Sequence, residues 1–487
     1  MKSWQRFTAV GILAGAAAGS IIGWHTVNAQ TKWTGTITMF AQGYSPRAPG
    51  TNNPNDRGLK GFRDVADAYE KSHPGVKIQF ADIPNGSNFN QLIRTKAAAG
   101  ELWDVFWAQY ADLNGTLPEG IATDLSPYFA QKNPYIPSSP TWADAMSKNV
   151  IALTRAPGGA SYNINGDYVA TSFFYNPTLL ARVGVRTPPT SWAGLLALSK
   201  RLKAAGINAG VGVPIYSWFE RHFLSDFYSR EFQTISSYDK VPGSMSPLDE
   251  AVAVKKGVLS TKDARFMGWW PTFKQLTDTW SPDYLAARPF SSNNDYQDFL
   301  AGKAAMYYSG SWTADALRSD KAPFGINAFS FPVIGRAGSQ YSTGINTSNA
   351  VGGFGGAFQF AISTPRSNKT LAQPGKFEAV LDWMRFFGTP KNVESIVNDG
   401  NFFIPHWPGT KPNPGTELLT RQATLPLRVV TTGAMAPRLG DEQQRIFGAY
   451  LTNNLSLADA TQQMQAAFDR ALADYEKENG VIDLSKY

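Results

Sequence analysis

"LKGFRDVADAYEKSHPGVKIQFADI" (59–83) changes its hydrophobic period halfway along, and this change decides the fold class. The first half repeats apolar residues at helical spacing: Leu59, Phe62, Val65 and Tyr69. A helix is expected to stop at Pro74 and Gly75, because proline disfavours the helical conformation of the residue before it. The second half alternates apolar and polar residues, as a strand does: Val76, Ile78 and Phe80. The stretch therefore predicts a helix followed by a strand.

The segments on either side continue this alternation. "TITMF" (36–40) precedes the helix as a short apolar strand, and "FNQLIRTKAAAG" (89–100) follows as a second helix. "LWDVFWA" (102–108) then has the apolar character of a buried strand. Such an order predicts an α/β sheet, whose ligands bind at the carboxyl ends of the strands.

The rest of the chain repeats these signals without a clean domain boundary. "YVATSFFYNPTLLARVGV" (168–185) predicts a strand that ends at Asn176-Pro177, where a helix starts, and "WAGLLALSKRLKAAG" (192–206) predicts another helix. Ser456 is placed to cap the last long helix. At 487 residues the chain is too long for one ordinary core, so two domains or lobes are expected, although no single linker separates them.

The composition excludes several classes of protein. The chain has no cysteine, which rules out disulfides, a thiolate nucleophile and cysteine-bound zinc. The net charge of +7 is scattered rather than clustered, so we expect no nucleic-acid partner. The aromatic share of 13% is high, and these rings either fill the core or line a binding surface.

The N-terminus has the three parts of a secretory signal. Lys2 and Arg6 supply positive charge, an apolar stretch follows, and "VNA" before Gln30 supplies small residues at the cleavage position. An uncleaved membrane anchor is the alternative, but the apolar stretch is short and diluted with glycine. We therefore expect cleavage after Ala29 and an exported protein.

Motifs for catalysis, metal binding and phosphate binding are missing from the sequence. No acidic pair lies in a recognisable glycosidase motif, and no G-x-S-x-G elbow occurs. Asp104, inside a predicted strand, is expected to orient its neighbours. The few histidines are widely spaced and form no H-E-x-x-H, and His73 is expected to end a helix. "GGFGG" (352–356) lacks the lysine of a phosphate loop. We expect no catalytic residue, metal or cofactor.

Six phrases in the chain resemble, in order, a family of transport proteins. These are "ITMFAQGY", "LWDVFWAQYADL", "YVATSFFYNPTLLARVGV", "FLAGKAAMYYSGSW", "GGFGGAFQFAIS" and "VLDWMRFFGTPKNVESIV". They resemble the extracellular solute-binding proteins of bacterial ABC importers, nearest to the sugar-binding branch with the maltodextrin-binding proteins. The resemblance spans roughly residues 30 to 475. It implies an α/β fold of two discontinuous lobes, with a cleft between them and crossing hinge strands, which would explain the missing linker.

The resemblance also implies a set of ligand-binding residues. The matching positions are Gln42 and Tyr44 at the cleft rim, Trp107, Gln109 and Tyr110 after a strand, Tyr216 and Trp218 in the loop "IYSWFERHF", Trp312 after a turn, and Gly353 and Phe354 in the glycine-rich run. Extra segments near 44–58 and 118–165 make the chain longer than the smaller family members.

The physical chemistry of sugar binding agrees with the central residues of this set. A sugar ring presents an apolar face and a girdle of hydroxyls, so its site needs flat aromatic rings and fixed polar groups. Trp312 follows a turn and precedes a helix, where its indole can face a cleft; a core position is the alternative. Trp269 and Trp270 are weaker candidates, because adjacent rings usually divide between core and surface.

The resemblance implies a division of the chain into discontinuous lobes. The expected segments are a signal peptide at 1–29, lobe 1 at 30–170 and 331–400, and lobe 2 at 171–330 and, mainly, 401–487. The hinge is expected at Ala170 to Phe174, with later crossings near 330–350 and 400–410. The two lobes would close over the ligand.

The implied function is that of the substrate-binding subunit of an ABC importer. It would capture a sugar or oligosaccharide in the periplasm and deliver it, as a monomer without enzymatic activity, to the membrane permease. A secreted glycan-cleaving enzyme and a binder of a non-sugar polar solute are the alternatives. A structural or adhesive protein is disfavoured because no repeat occurs.

Overall fold

A computed structural model describes most of the chain beyond the N-terminus. The described residues are 33–49, 58–83, 88–156, 158–212, 214–240, 245–281, 294–400, 403–413, 416–426, 428–436 and 438–487. The expected signal sequence and its cleavage site at Ala29 lie outside the described residues. Within the described ranges, no helix combines the length and the apolar character that crossing a membrane requires.

Strands and helices alternate in the early part of the described chain, and helices predominate later. The strands are β1 (Gly35–Phe40), β2 (Val76–Phe80), β3 (Val105–Trp107), β4 (Asn163–Asn165), β5 (Asp167–Tyr175), β6 (Asn208–Val211), β7 (Ala304–Gly310), β8 (Ala328–Ser330), β9 (Gly352–Phe354), β10 (Gln359–Ile362) and β11 (Ile404–Pro405). The helices of the first half are α1 (Gly61–Ser72), α2 (Phe89–Ala99), α3 (Ser126–Phe129), α4 (Lys148–Thr154), α5 (Pro177–Arg182), α6 (Trp192–Ala204), α7 (Tyr216–Phe227), α8 (Phe232–Ile235) and α9 (Pro247–Lys255). The later helices are α10 (Ala264–Thr277), α11 (Asn294–Leu300), α12 (Trp312–Ser319), α13 (Gly335–Gly338), α14 (Lys376–Phe387), α15 (Pro390–Gly400), α16 (Glu417–Thr420), α17 (Leu439–Leu451) and α18 (Leu457–Asn479).

The predicted local elements are present where the sequence placed them. The helix over 59–75 is α1, which ends at His73 as its C-cap, and the strand after it is β2. Asn176 caps α5 by accepting hydrogen bonds from the amides of Thr178 and Leu179. Ser456 accepts a hydrogen bond from the amide of Asp459 and caps α18. These predictions are confirmed because each depends on side chains only a few residues apart.

Two sheets, each with its own apolar core, organise the described chain. The first sheet has the strand order β2-β1-β3-β10-β4, and α1, α14 and α15 pack on it. Strand β1 is parallel to β2 and β3, whereas β10 is antiparallel to β3 and β4. The second sheet has the order β11-β5-β7-β6, and β8 and β9 also pair with β5. We call the parts packed around these sheets the first and the second lobe.

Asp104 has the structural role that the sequence predicted for it. Its buried carboxylate accepts hydrogen bonds from the Thr38 amide (2.8 Å) and from Asn368 Nδ2 (2.8 Å), and it pairs with Lys376 Nζ at 2.9 Å. These contacts join β1 and the start of β3 to the segment before α14. Since the charge is paired and hydrogen-bonded, its burial is tolerated.

The chain crosses between the lobes at three places. Only Gly166 separates β4 in the first sheet from β5 in the second. The chain returns between β9, which pairs with β5, and β10 in the first sheet. The third crossing leads from α15 to β11.

The predicted hinge, Ala170 to Phe174, lies inside β5, where it pairs with β7, β8 and β9. Phe331 and Ile334, which lie at the start of the segment 331–400 expected in lobe 1, belong to the core of the second lobe.

Candidate functional site

The junction of the lobes is fastened by one buried carboxylate. Asp167, the first residue of β5, accepts hydrogen bonds from Tyr44 Oη (2.8 Å) and from the amides of Gly356 (2.7 Å), Ala357 (2.9 Å) and Phe358 (2.9 Å). Burial raises the pKa of the Asp167 carboxyl, and the four donors act in the opposite direction. The hydrogen bonds of Asp167 therefore connect the crossing at Gly166, the crossing between β9 and β10, and the loop after β1.

Aromatic rings gather beside this junction. Trp312 begins α12 at the end of β7, and its ring centroid lies 6.2 Å from that of Trp218 on α7 and 6.5 Å from that of Phe403. All three side chains are partly exposed. We call Trp218, Trp312 and Phe403 the aromatic platform. Both contacts are edge-to-face, which is one of the arrangements that aromatic pairs prefer.

A polar pair lies next to the aromatic platform. Arg221 is three residues after Trp218 on α7, so the two side chains share one face of the helix. The Tyr110 hydroxyl, from the loop after β3 in the first lobe, lies close enough to Arg221 to be affected by its charge. Burial raises the pKa of Tyr110, and the guanidinium acts against this rise. The site thus combines flat apolar surfaces with hydrogen-bonding groups from both lobes.

The predicted residues of the first lobe differ in their exposure. Gln109 is exposed, and Gln42 is partly exposed. Tyr44 is buried against Phe358 and Phe403, with its hydroxyl bonded to Asp167. Trp107 is 7% exposed and packs on Phe40 and Phe89, and its buried Nε1 has no hydrogen-bond partner among the described residues.

The predicted residues of the second lobe are also divided between core and surface. Trp218 and Trp312 meet in the aromatic platform, whereas Tyr216 is 1% exposed and donates its hydroxyl to Glu220 at 3.1 Å. Trp269 and Trp270, the weaker candidates, are both in the core, in contact with Phe447. Both rings are buried because α7 and α17 pack against the part of α10 that carries them.

The glycine-rich run serves close packing of the crossing strand. Gly352 has a φ of +89°, and a β-carbon there would lie 2.3 Å from the Val169 carbonyl oxygen. Gly353 also has positive φ (+99°), but apart from its chain neighbours no atom of the described residues would lie within 4 Å of its β-carbon. The Phe354 ring packs edge-on to Tyr168 (5.1 Å) and to His406 (5.0 Å).

Four residues of this region were missed by the sequence analysis: Asp167, Arg221, Phe403 and His406. Arg221 could have been found, since it follows Trp218 at helical spacing in "WFERHF". The other three carry no local signal, because their partners are distant in sequence.

Acidic clusters give no sign of a metal centre in the described ranges, where no group of three or more His, Asp or Glu residues is placed to hold an ion. The carboxylates of Glu220 and Glu250 are fully buried and accept hydrogen bonds from the segment Thr431–Met435. Burial raises the pKa of each to about 7.

Comparison with known families identifies the chain. The model of the family described as bacterial extracellular solute-binding protein matches residues 53–394, well over half of the chain. The chain belongs to this family. A protein of Brucella abortus (strain 2308), named as a binding protein, is 27% identical over 156 residues, which cover 31% of this chain and 34% of the relative. The match thus spans about a third of that relative's length.

Solved structures share the fold of this solute-binding protein. The GacH receptor of Streptomyces glaucescens, whose structures include an acarbose complex, has a TM-score of 0.61 at 15% identity, and the match covers 91% of this chain and all of the receptor. The cyclic α-maltosyl-1,6-maltose binding protein of Arthrobacter globiformis has a TM-score of 0.62 at 15% identity, with 91% of this chain and 100% of that protein covered. A family 1 extracellular solute-binding protein from Bifidobacterium longum subsp. infantis has a TM-score of 0.59 at 15% identity over 90% of this chain and 99% of that protein.

The predicted family and the two-lobed α/β fold are therefore confirmed. A solute-binding role follows from the family. The family model and the Bifidobacterium protein are described as extracellular solute-binding proteins, and the other two neighbours are described as a receptor and a binding protein.

Proposed function

We propose that this protein is the substrate-binding subunit of an ABC importer and captures a sugar or oligosaccharide between its lobes. The observation that carries the proposal is the aromatic platform, which lies beside Arg221 and Tyr110 where the lobes meet. Aromatic faces suit the apolar face of a sugar ring, and the polar groups suit its hydroxyls. Two of the structural neighbours named above are described with oligosaccharide ligands, which supports the same class of solute.

The proposed site extends from the aromatic platform toward the first lobe. Gln42 and Gln109 would supply hydrogen bonds at the rim, and Tyr110 would reach the ligand from the loop after β3. Trp107, Gly353 and Phe354 would line the inner end, while Tyr44 and Tyr216 would support the site from behind. The lobes would be joined at Gly166, at 355–358 and before β11.

A panel of mono-, di- and oligosaccharides tests the proposal. We expect some members to raise the Tm of the protein and to bind with measurable heat, since a ligand that binds only the folded state stabilises it. Chromatography of the same mixtures is expected to show the sugars unchanged. Cleavage products would favour the alternative, a secreted glycan-cleaving enzyme. Stabilisation by polar metabolites and by no sugar would favour a non-sugar solute.

Export and transport are further parts of the proposal. The mature protein would begin at Gln30 in the periplasm, without a membrane anchor, and would present its liganded form to the permease as a monomer. N-terminal sequencing of the exported protein tests the first part, and a product that begins at Met1 would contradict it. Deleting the gene is expected to abolish uptake of the radiolabelled ligand by whole cells, and unchanged uptake would contradict the transport role.

A further inference from the structure

Within the described part of the chain, Arg221 is a cation without an acidic partner. Its side chain is partly exposed on α7, where its neighbours from Phe219 to Phe227 are otherwise buried. Among the described residues, its one hydrogen bond runs from Nε to Thr431 Oγ1 at 3.3 Å, and no carboxylate forms an ion pair with it. The two terminal nitrogens of the guanidinium are thus left to other partners.

Glu220, the acidic residue next to Arg221 in sequence, forms hydrogen bonds with other residues and no ion pair with Arg221. Its carboxylate is fully buried and accepts hydrogen bonds from the Thr432 amide (3.1 Å), Tyr216 Oη (3.1 Å) and Thr431 Oγ1 (3.1 Å). Thr431 therefore stands between the two charged groups and holds the Arg221 Nε in place. This support fixes the guanidinium without neutralising it.

The surroundings of Arg221 are those of a binding site. Trp218 of the aromatic platform is one helical turn away on the same face, and the charge of the guanidinium acts on Tyr110 of the first lobe. A cation that loses water without gaining an anion destabilises the closed state of a cleft. A ligand that carries its own anion would compensate for this loss. Arginine presents a planar fork of donors that matches carboxylate and phosphate.

We infer that Arg221 binds an anionic substituent, a carboxylate or a phosphate, on the captured sugar. The natural ligand is then an acidic saccharide, whose ring packs on the aromatic platform while its anionic group meets the two terminal nitrogens of Arg221. This inference rests on the proposed function, because it specifies the ligand of the same site.

Matched pairs of ligands test the inference by isothermal titration calorimetry. The probes are galacturonate and galactose, their β- or α-linked oligomers, and glucose 6-phosphate and glucose. The acidic member of at least one pair is expected to bind roughly 10- to 100-fold more tightly, as a hydrogen bond to a charged group implies. Preference for the uronate or for the phosphate identifies whether Arg221 binds a carboxylate or a phosphate.

Two variants assign the preference to Arg221. R221Q is expected to bind both members of the pair about equally, with a Tm close to that of the wild type because the side chain is partly exposed. R182Q removes the same charge from an exposed position on α5, beyond the end of β5 remote from the crossing, and is expected to keep the preference. R221K is expected to retain part of it, since lysine keeps the charge but loses the fork.

Each other outcome contradicts a specific statement. Tight binding of neutral sugars, without preference for their acidic counterparts, would overturn the inference and leave the proposed function intact. A preference that survives in R221Q would overturn the assignment to Arg221. Binding of no saccharide at all would overturn the proposed function and the inference with it.

Discussion

Trp312 belongs to neither main hydrophobic core of the described residues, although it lies directly after the buried strand β7. Its position follows from Gly310, where a β-carbon would lie 2.1 Å from the indole ring. The missing side chain at Gly310 lets the indole lie across the end of β7, beside Trp218. Trp312 is therefore fixed by local packing while part of its surface stays available.

The change Trp312→Ala is expected to weaken ligand binding with little effect on stability. The lost aromatic contact is worth about 0.5–1.5 kcal/mol beyond the area that it buries, so affinity is expected to fall roughly tenfold. The unliganded Tm is expected to stay near that of the wild type. Calorimetric titration and thermal unfolding of the variant measure both quantities.

Trp192→Ala is the matched control, because Trp192 is fully buried in the core of the second lobe. It is expected to lower the free energy of unfolding by about 3–5 kcal/mol. If Trp312→Ala were destabilised to the same degree, Trp312 would be a core residue. If it bound ligand with full affinity, Trp312 would not belong to the binding site.

At the scale of elements, two buried glutamates hold the segment Thr431–Met435 that precedes α17. Glu250, in the first turn of α9, accepts hydrogen bonds from the amides of Gly433 (2.7 Å), Ala434 (2.7 Å) and Met435 (2.8 Å). Glu220 holds Thr431 and Thr432. The segment carries the threonine that supports Arg221, so these carboxylates connect the core to the site.

The stability contributed by Glu250 is expected to depend on pH. Burial raises its pKa from 4.5 to about 7, so the folded state favours the protonated form. This contribution is complete below about pH 4.5 and is lost as the pH rises to 7. The difference in unfolding free energy between wild type and E250Q is thus expected to shrink by about 2–3 kcal/mol between pH 5 and pH 8. Urea unfolding at both pH values measures it.

E478Q is the control for this series, because Glu478 is exposed near the end of α18. As a substitution on the surface, it is expected to change the free energy of unfolding by less than about 0.5 kcal/mol. A difference for E250Q that is independent of pH would show that folding does not shift the pKa of Glu250, and a difference that widens toward pH 8 would show that its pKa is lowered.

The second crossing depends on close approach of two backbones at Gly352. In G352A the new β-carbon would lie 2.3 Å from the Val169 carbonyl oxygen, and the residue would keep a φ of +89°. We expect a loss of unfolding free energy of about 2–4 kcal/mol, measured in urea. G353A shares the positive φ without the clash and is expected to lose only about 1–2 kcal/mol. Equal losses of unfolding free energy in G352A and G353A would mean that β9 and β5 move apart at Gly352 at little cost.

For the whole molecule, the crossings at Asp167 define where the lobes can move. The carboxylate fixes the junction itself, so motion must come from the strands on either side of it. We expect small-angle scattering to show a smaller radius of gyration at saturating ligand, near the value of about 23 Å for a compact chain of this length. W312A at the same ligand concentration is expected to compact less. An unchanged radius in the wild type would argue against closure.

Much of the fold could be predicted from segments of twenty residues or fewer. The spacing of Phe62, Val65 and Tyr69 predicts α1, and caps such as Asn176 and Ser456 predict where helices begin. Two residues of the aromatic platform, Trp218 and Trp312, were among the positions that the family resemblance implied, although Trp218 was expected in a loop and lies on α7. Arg221 was missed, although its helical spacing from Trp218 is visible in the sequence. Phe403 has no such signal, because its partners Tyr44 and Trp312 are distant in sequence.

The sequence by itself determined the family, the α/β alternation and the ends of several helices. These depend on residue spacing, proline and glycine geometry and local capping, which act within one or two turns of the chain. Only the tertiary structure decided that Tyr216 is buried whereas Trp218 is partly exposed, and that Asp167 bonds to Tyr44, 123 residues earlier. The physical reason is that an aromatic or acidic residue has the same local pattern in a core and in a cleft. Its role is fixed by the distant surface that packs against it, and no local pattern encodes that surface.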